Sequence, residues 1–136
     1  MFLRGSVFRM PEPLIFVDVS AINPGKLEDV KAAFKQLAAF VEANEPHALS
    51  YNVFLNEDDS VVTVVQVHPD SASMEFHMSE GAELFRKFAG LLTMRTMQIY
   101  GEPSAGLLEA MQAKAAMLGA AGVEVHDLHA GFSRLP

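Results

Sequence analysis

The chain has 136 residues, half of them hydrophobic, and a formal net charge of −7 at pH 7. Its few lysines and arginines form no cluster, which argues against nucleic acid and anionic membrane surfaces as partners, since both attract clustered cations. It has no cysteine, so disulfide frameworks, thiol nucleophiles and zinc–thiolate sites are excluded.

Residues 1–12 are predicted to form an N-terminal arm. They contain two arginines but no continuous apolar stretch and no small-residue cleavage site, so a signal peptide is not expected. Together with the absence of cysteine, this favours a cytoplasmic location. Residues 13–102 are predicted to form the core domain, and residues 103–136 a helix-strand extension of the same domain.

The first half of the core domain predicts a strand, a helix and a hairpin. An apolar strand over residues 14–20 leads into Asn23-Pro24-Gly25 and then a helix whose apolar residues recur every three or four positions. A hairpin over residues 49–67 follows. It turns at Asn56-Glu57-Asp58-Asp59, where short polar side chains bond back to their own backbone.

The second half predicts a helix and a strand, and then the extension. The helix bends near residues 79–81, and a strand over residues 93–100 completes the order βαββαβ. This order is typical of the α+β, ferredoxin-like plan, an antiparallel sheet with helices on one face. Ser104 then caps an extra helix, and a last strand over residues 123–132 is expected to join a sheet edge, either of its own chain or of the partner.

Alternation along the strands separates two faces of the sheet. The more apolar set is expected beneath the helices, and comprises Ile15, Val17, Val19, Tyr51, Val53, Leu55, Val61, Val65 and Val67. The other set mixes polar and apolar side chains: Phe16, Asp18, Ser20, Ser50, Asn52, Phe54, Val62, Val64, Gln66, His68, Thr96, Gln98 and Tyr100. Such a face suits neither free solvent nor a sealed core. We therefore expect it to form a half-polar cavity with a second copy of the chain.

Three segments resemble the antibiotic-biosynthesis monooxygenase-like family of the dimeric α/β-barrel superfamily. They are Asn23-Pro24-Gly25-Lys26, Glu45-Pro46-His47-Ala48-Leu49-Ser50-Tyr51 and Ser73-Met74-Glu75-Phe76-His77-Met78-Ser79. The resemblance covers residues 13–102. It implies a homodimer whose sheets form a barrel, with a pocket between sheet and helices in each subunit. It also implies, for some members, oxidation of phenolic or quinol-like substrates by O₂ without metal or flavin, whereas other members have no known activity.

The resemblance and the side-chain chemistry together select two histidines as candidate catalytic residues. His77 matches the family's helix-two histidine, and would bond a substrate oxygen or accept a phenolic proton; alternatively it only packs the helix onto the sheet. His68 stands where the family usually has tryptophan, and would line the pocket mouth and orient a ligand with Asp18 or Gln66. Alternatively, His68 is a half-exposed residue at a strand end.

Further candidates are assigned to substrate binding. Asn52 and Gln66 could donate hydrogen bonds to a developing enolate oxygen, or simply pair across strands. Tyr100 and Arg95 could bind an acidic or phenolic ligand, or lie at a dimer rim. Phe54 completes the substrate-binding set on the mixed face.

Neither a metal nor a cofactor is expected. His126 and His129 lie three residues apart on a predicted strand, where they would point to opposite faces and could not share one metal ion. Nucleotide, hydrolase and metalloprotease motifs do not occur in the chain.

The leading hypothesis is a homodimer that binds a small aromatic, hydrophobic or polyketide-like ligand and oxidises it without a cofactor. The alternative is a ligand-binding or structural dimer of the same fold with no catalytic activity. An enclosed cavity on the order of a few hundred Å³ that touches His77 would favour binding, whereas a mixed face filled by Phe16, Phe54 and partner side chains would favour a structural role.

Overall fold

The computed structural model describes residues 12–135, so the predicted arm, except for Glu12, lies outside the described residues. In chain order the elements are β1 (Leu14–Ile22), α1 (Leu27–Asn44), β2 (Ser50–Leu55), β3 (Val61–His68), α2 (Ser71–Glu80), α3 (Ala82–Arg86), β4 (Leu92–Tyr100), α4 (Ala105–Met117) and β5 (Val123–His126).

The strands form one sheet in the order β2-β3-β1-β4-β5. The first four strands pair antiparallel, as the ferredoxin-like plan predicts, and β5 joins the outer edge of β4 in parallel. The fold class is therefore confirmed, and the extra strand does extend a sheet edge of its own chain.

The last strand is shorter than the sequence predicts. It ends at His126, which lies opposite Tyr100, the last residue of β4. The last backbone hydrogen bond along this edge runs from the Gly101 N–H to the His126 carbonyl at 2.9 Å. After it, β4 offers no further backbone for pairing. The prediction of a strand to residue 132 is wrong because the edge on which it would pair stops six residues earlier.

The helices follow their predicted patterns. The buried residues of α1 are spaced by three or four positions: Val30, Phe34, Leu37 and Val41. The Ser104 Oγ accepts from the Leu107 N–H at 3.2 Å and caps α4. The predicted bend in the second helix is a break at Gly81, where a Cβ would lie 2.7 Å from the Phe85 ring. This close approach brings Phe85 under the helical layer.

The assignment of sheet faces is wrong for β1 and β3. The residues of these two strands that the helices cover are Leu14, Phe16, Asp18, Ser20, Val62, Val64, Gln66 and His68, all buried. Their neighbours Ile15, Val17, Val19, Val61, Val65 and Val67 face the open side. For β2 and β4 the prediction is right: the register places Tyr51 opposite buried Gln66, and Gln98 opposite Val17.

The error has a physical cause. The sequence predicts that the more apolar face of the sheet lies under the helices. In the structure, polar residues of β1 and β3 are buried together with polar residues from the helical layer, and several hydrogen-bond to one another. Burial of polar groups costs little when they are paired, so composition alone does not decide which face is covered.

Candidate functional site

A group of polar side chains lies between the sheet and the helices, and we call it the polar cluster. The sheet contributes Asp18, Ser20, Tyr51, Gln66 and His68, and the helical layer contributes Glu45, Ser73, His77 and Lys114. Seven of the nine are buried; Tyr51 and Lys114 are half-buried. Such a concentration of buried polar groups in a small core needs a structural or functional explanation.

His68 is held by hydrogen bonds at both ring nitrogens. Its Nδ1 lies 2.7 Å from the Ser73 Oγ and its Nε2 lies 3.0 Å from the Gln66 Oε1. Because an amide oxygen only accepts, Nε2 donates and Nδ1 accepts from the serine hydroxyl. Burial, together with nearby His77, lowers the pKa of His68 to about 4. His68 is therefore neutral at pH 7, and neither nitrogen is free to take a proton.

His77 pairs with Glu45, which is not among the site residues predicted from the sequence. Its Nδ1 lies 2.7 Å from the Glu45 Oε1, and both side chains are buried. Burial lowers the pKa of His77, although the hydrogen bond to Glu45 acts in the opposite direction. With Nδ1–H donated to the carboxylate, the lone pair remains on Nε2, which is buried without a hydrogen-bond partner, as is the Glu45 Oε2.

Glu45 is the first residue of one of the segments that resemble the family, but nothing in its local pattern marks it as a site residue. It follows the last residue of α1 and precedes Pro46, so the local pattern explains it as part of a helix stop. Its partner His77 is 32 residues further along the chain. Only the packing of α2 against the end of α1 reveals the pair.

A cavity of about 30 Å³ lies within the polar cluster. Its polar lining comprises Asp18, Ser20, Tyr51, Gln66 and Lys114, and its apolar lining comprises Phe34, Leu37, Val64, Phe85, Phe88, Leu92, Met94 and Leu118. His77 lies behind this wall, with its ring centroid 5.7 Å from that of Tyr51 and 5.1 Å from that of Phe85.

Burial changes the ionisation of the groups that line the cavity. Burial raises the pKa of Asp18 to about 6, and the positive charge of Lys114 limits the rise. Burial also lowers the pKa of Lys114. Burial and the negative charges of Asp18 and Glu45 raise the pKa of Tyr51. Asp18 therefore exchanges its proton close to neutral pH, as a general base must.

Half of the predicted site residues lie outside the polar cluster. Asp18, Gln66, His68 and His77 meet in the polar cluster, but Asn52, Phe54, Arg95 and Tyr100 are exposed outside it. Asn52, Phe54 and Tyr100 lie on the open face because of their register, as predicted. His68, Gln66 and Asp18 lie on the opposite, covered face.

The two C-terminal histidines do not come together as a metal site. His126 ends β5 and stacks on Tyr100 with the ring centroids 4.7 Å apart, whereas His129 lies beyond the strand. Within residues 12–135 no three side chains of His, Asp or Glu are arranged to hold a metal ion. None of the helices in that range is long and apolar enough to cross a membrane.

Several solved structures resemble this one. MupZ from Pseudomonas fluorescens is 21% identical with a TM-score of 0.66, and the match covers 90% of this chain and 95% of that one. PA3566 from Pseudomonas aeruginosa is 21% identical with a TM-score of 0.56, covering 67% and 92%. SnoaB, described as a cofactor-independent oxygenase from Streptomyces nogalater, is 15% identical with a TM-score of 0.59, covering 69% and 96%. At these identities the likeness shows the fold alone.

The family assignment comes from the sequence. No curated protein matches the chain. The family model described as antibiotic biosynthesis monooxygenase matches residues 14–91, which agrees with the resemblance noted in the sequence. Since this match spans more than half of the chain, the chain belongs to the antibiotic biosynthesis monooxygenase family.

Proposed function

We propose that the protein is a cytoplasmic, cofactor-independent monooxygenase that acts on phenolic, quinol-like or polyketide-like substrates. The observation that carries the proposal is Asp18, a buried carboxyl group that lines an internal cavity and whose pKa is raised to about 6. A mostly apolar cavity with a few convergent polar groups is typical of a small-molecule site. Family membership and the description of SnoaB as an oxygenase add support.

In the proposed reaction the substrate itself reduces O₂. Asp18 takes the phenolic proton, and the phenolate passes one electron to O₂; the two radicals then join as a peroxide on a ring carbon. Asp18 returns its proton to that peroxide and removes the proton from the same carbon. The O–O bond breaks, and the departing hydroxide takes up this proton. One phenol and one O₂ thus give one quinone and one water.

Gln66 is the proposed oxyanion donor. Its amide oxygen is occupied by His68 at 3.0 Å, which leaves its N–H groups for the substrate oxygen. His68 thereby positions Gln66. Asn52, the other amide considered for this role, is exposed on the opposite face of the sheet.

His77 stays a predicted catalytic residue. Its free Nε2 can accept a proton, but it reaches the cavity only if Tyr51 or Phe85 moves. Such a movement is also required for binding. A benzene-sized cavity measures on the order of 150 Å³, several times the volume present here. Phe85 lies on the short helix α3, four residues after the helix break at Gly81, and we propose that it is the wall residue that moves.

The alternative function is that of a ligand-binding or structural protein without activity. The size of the cavity favours it, because about 30 Å³ admits water but no aromatic ring. Oxygen uptake with a panel of hydroquinones and naphthols separates the two hypotheses. We expect the wild-type chain to consume O₂ with at least one of them and to incorporate labelled oxygen into the product.

The same assay tests the positioning role of His68. His68→Ala is expected to lower the rate about tenfold, because Gln66 is loosened but not removed. Asp29→Asn, an exposed change on α1, is the control and should not alter it. Absence of uptake with every substrate would exclude the monooxygenase mechanism, whereas unchanged uptake in both His68→Ala and His77→Ala would exclude the two histidines from it.

We also propose that two copies pair through the open face of the sheet. That face carries a row of half-buried valines, with Val17 and Val65 side by side at its centre, and no helix of the described chain covers it. An apolar sheet face of this kind is stabilised by burial against another surface. The dimeric barrel implied by the family resemblance would provide it.

Sedimentation tests the dimer. We expect the wild type to sediment as a dimer at micromolar concentration and Val65→Lys as a monomer, because a lysine at the centre of the interface would be buried without a partner. Ala39→Lys, on the exposed side of α1, should remain dimeric. A monomeric wild type would contradict the proposal.

A further inference from the structure

Lys114 lines the cavity but lies on a helix outside the segment that the family model matches. It lies on α4, whereas the family model ends at residue 91. Its Nζ is 4.0 Å from the centroid of the Phe85 ring, and its side chain lines the cavity. Within residues 12–135 it forms no hydrogen bond or ion pair. An ammonium group has three donors, and an aromatic face accepts none of them in a conventional hydrogen bond.

The charges that face Lys114 do not neutralise it fully. Asp18 and Glu45 are the acidic groups close enough to act on its pKa. Neither forms an ion pair with it, and Asp18 is itself partly protonated near neutral pH. The other titratable groups nearby, Tyr51 and His77, are neutral at pH 7. The cavity therefore presents a cation whose donors have no acceptor among residues 12–135, which favours an anionic guest.

We propose that Lys114 is a specificity-determining residue that binds the anionic oxygen of the substrate, as a phenolate or enolate, within the cavity. The substrate class is thereby narrowed to phenols and enolisable carbonyl compounds acidic enough to ionise in the site. The inference rests on the proposed function for the reaction that follows, but the binding step itself needs no oxygen. The helix α4 would convert a shared family fold into an anion-selective site.

The test measures ionisation of a bound phenol under argon. The probe is 4-nitrophenol, whose phenolate is coloured and whose neutral form is not. We expect the wild type to bind the phenolate and to lower the apparent pKa of the bound probe. Lys114→Met keeps the aliphatic stem without the charge, and should weaken phenolate binding about tenfold or more. The matched control Lys26→Met, exposed at the start of α1, should bind as the wild type does.

A second variant guards against misfolding. Lys114→Gln keeps a donor without the charge, and its thermal melt and binding are measured beside those of Lys114→Met. Unchanged phenolate binding in both folded variants would overturn the proposal, as would a wild type that takes up only the neutral phenol or no phenol. Oxygen uptake is assayed separately. If the Lys114 variants lose phenolate binding but keep the oxygen uptake of the wild type, Lys114 has no role in the reaction. If the wild type binds phenolate but consumes no oxygen with any substrate, only the monooxygenase function is refuted.

Discussion

Asp18→Asn is expected to stabilise the folded chain at pH 7 by about 2–3 kcal/mol and to remove most of its activity. The pKa of Asp18 is raised from 3.8 to about 6, so keeping this carboxylate ionised at pH 7 costs the folded state roughly 3 kcal/mol relative to the unfolded state. Asparagine has nearly the same size and no charge to bury. Urea denaturation at pH 7 measures the change, with Asp29→Asn as the exposed control.

The stabilisation should depend on pH in a defined direction. Because the folded pKa of Asp18 is the higher one, its contribution favours folding below about 3.8 and is lost as the pH rises through about 6. The advantage of Asp18→Asn should therefore be full at pH 7 and nearly absent at about pH 4. An advantage that stays constant over this range would show that Asp18 does not titrate as described.

His68 produces the opposite trend in the wild type. Its pKa is lowered from 6.5 to about 4. The contribution of His68 to the stability of the folded state is therefore present above pH 6.5 and is lost as the pH falls through about 4. Between about pH 4 and pH 6, the opposite effects of Asp18 and His68 on the free energy of unfolding therefore offset each other in the wild type. Removing the Asp18 carboxylate should make Asp18→Asn visibly more sensitive to acid than the wild type.

The loss of activity in Asp18→Asn should be about 100-fold or more, the usual effect of removing a general base. The wild-type rate should rise with pH through about 6 as Asp18 ionises. A variant that is stabilised yet fully active would leave the stability argument intact and would exclude Asp18 as the base.

The second large effect is expected at the buried pair of Glu45 and His77. Glu45→Ala leaves the Nδ1–H of His77 without an acceptor in a site that excludes water, and should destabilise the fold by about 3 kcal/mol. His77→Ala should cost a similar amount through the space it leaves. Since each change removes the same bond, the double variant should cost about 1–3 kcal/mol less than the sum.

Two variants make this cycle specific. Glu45→Gln retains an oxygen that can accept from the Nδ1–H of His77, so most of the stability should return. Glu42→Ala, one turn earlier on α1 and exposed, should change stability by less than about 0.5 kcal/mol. Strict additivity of Glu45→Ala and His77→Ala would show that the two side chains do not act together.

The activity of His77→Ala distinguishes its two roles. If Nε2 takes the substrate proton, the oxygen-uptake rate at saturating substrate should fall about 100-fold. If His77 only supports Tyr51 and Phe85, the KM should rise while kcat changes little. The second result would make His77 a positioning residue of the cavity wall.

The amino-acid sequence by itself determined the order of the elements and much of their detail. The apolar spacing of α1, the Ser104 cap of α4 and the turn after Asn56 depend on residues close together in the chain. Such features can be predicted from the sequence because the contacts that form them lie within one element. The family resemblance, carried by short segments in order, belongs to the same level.

Only the tertiary structure decided which face of the sheet is covered and which residues meet there. Alternation divides a strand into two sets but does not say which set is covered when each has something to pack against. Glu45 and Lys114 look like ordinary polar residues near a helix end and on a helix surface. They join Asp18 and His77 because distant segments pack over the same patch of β1 and β3, and an encounter between distant segments leaves no local pattern in the sequence.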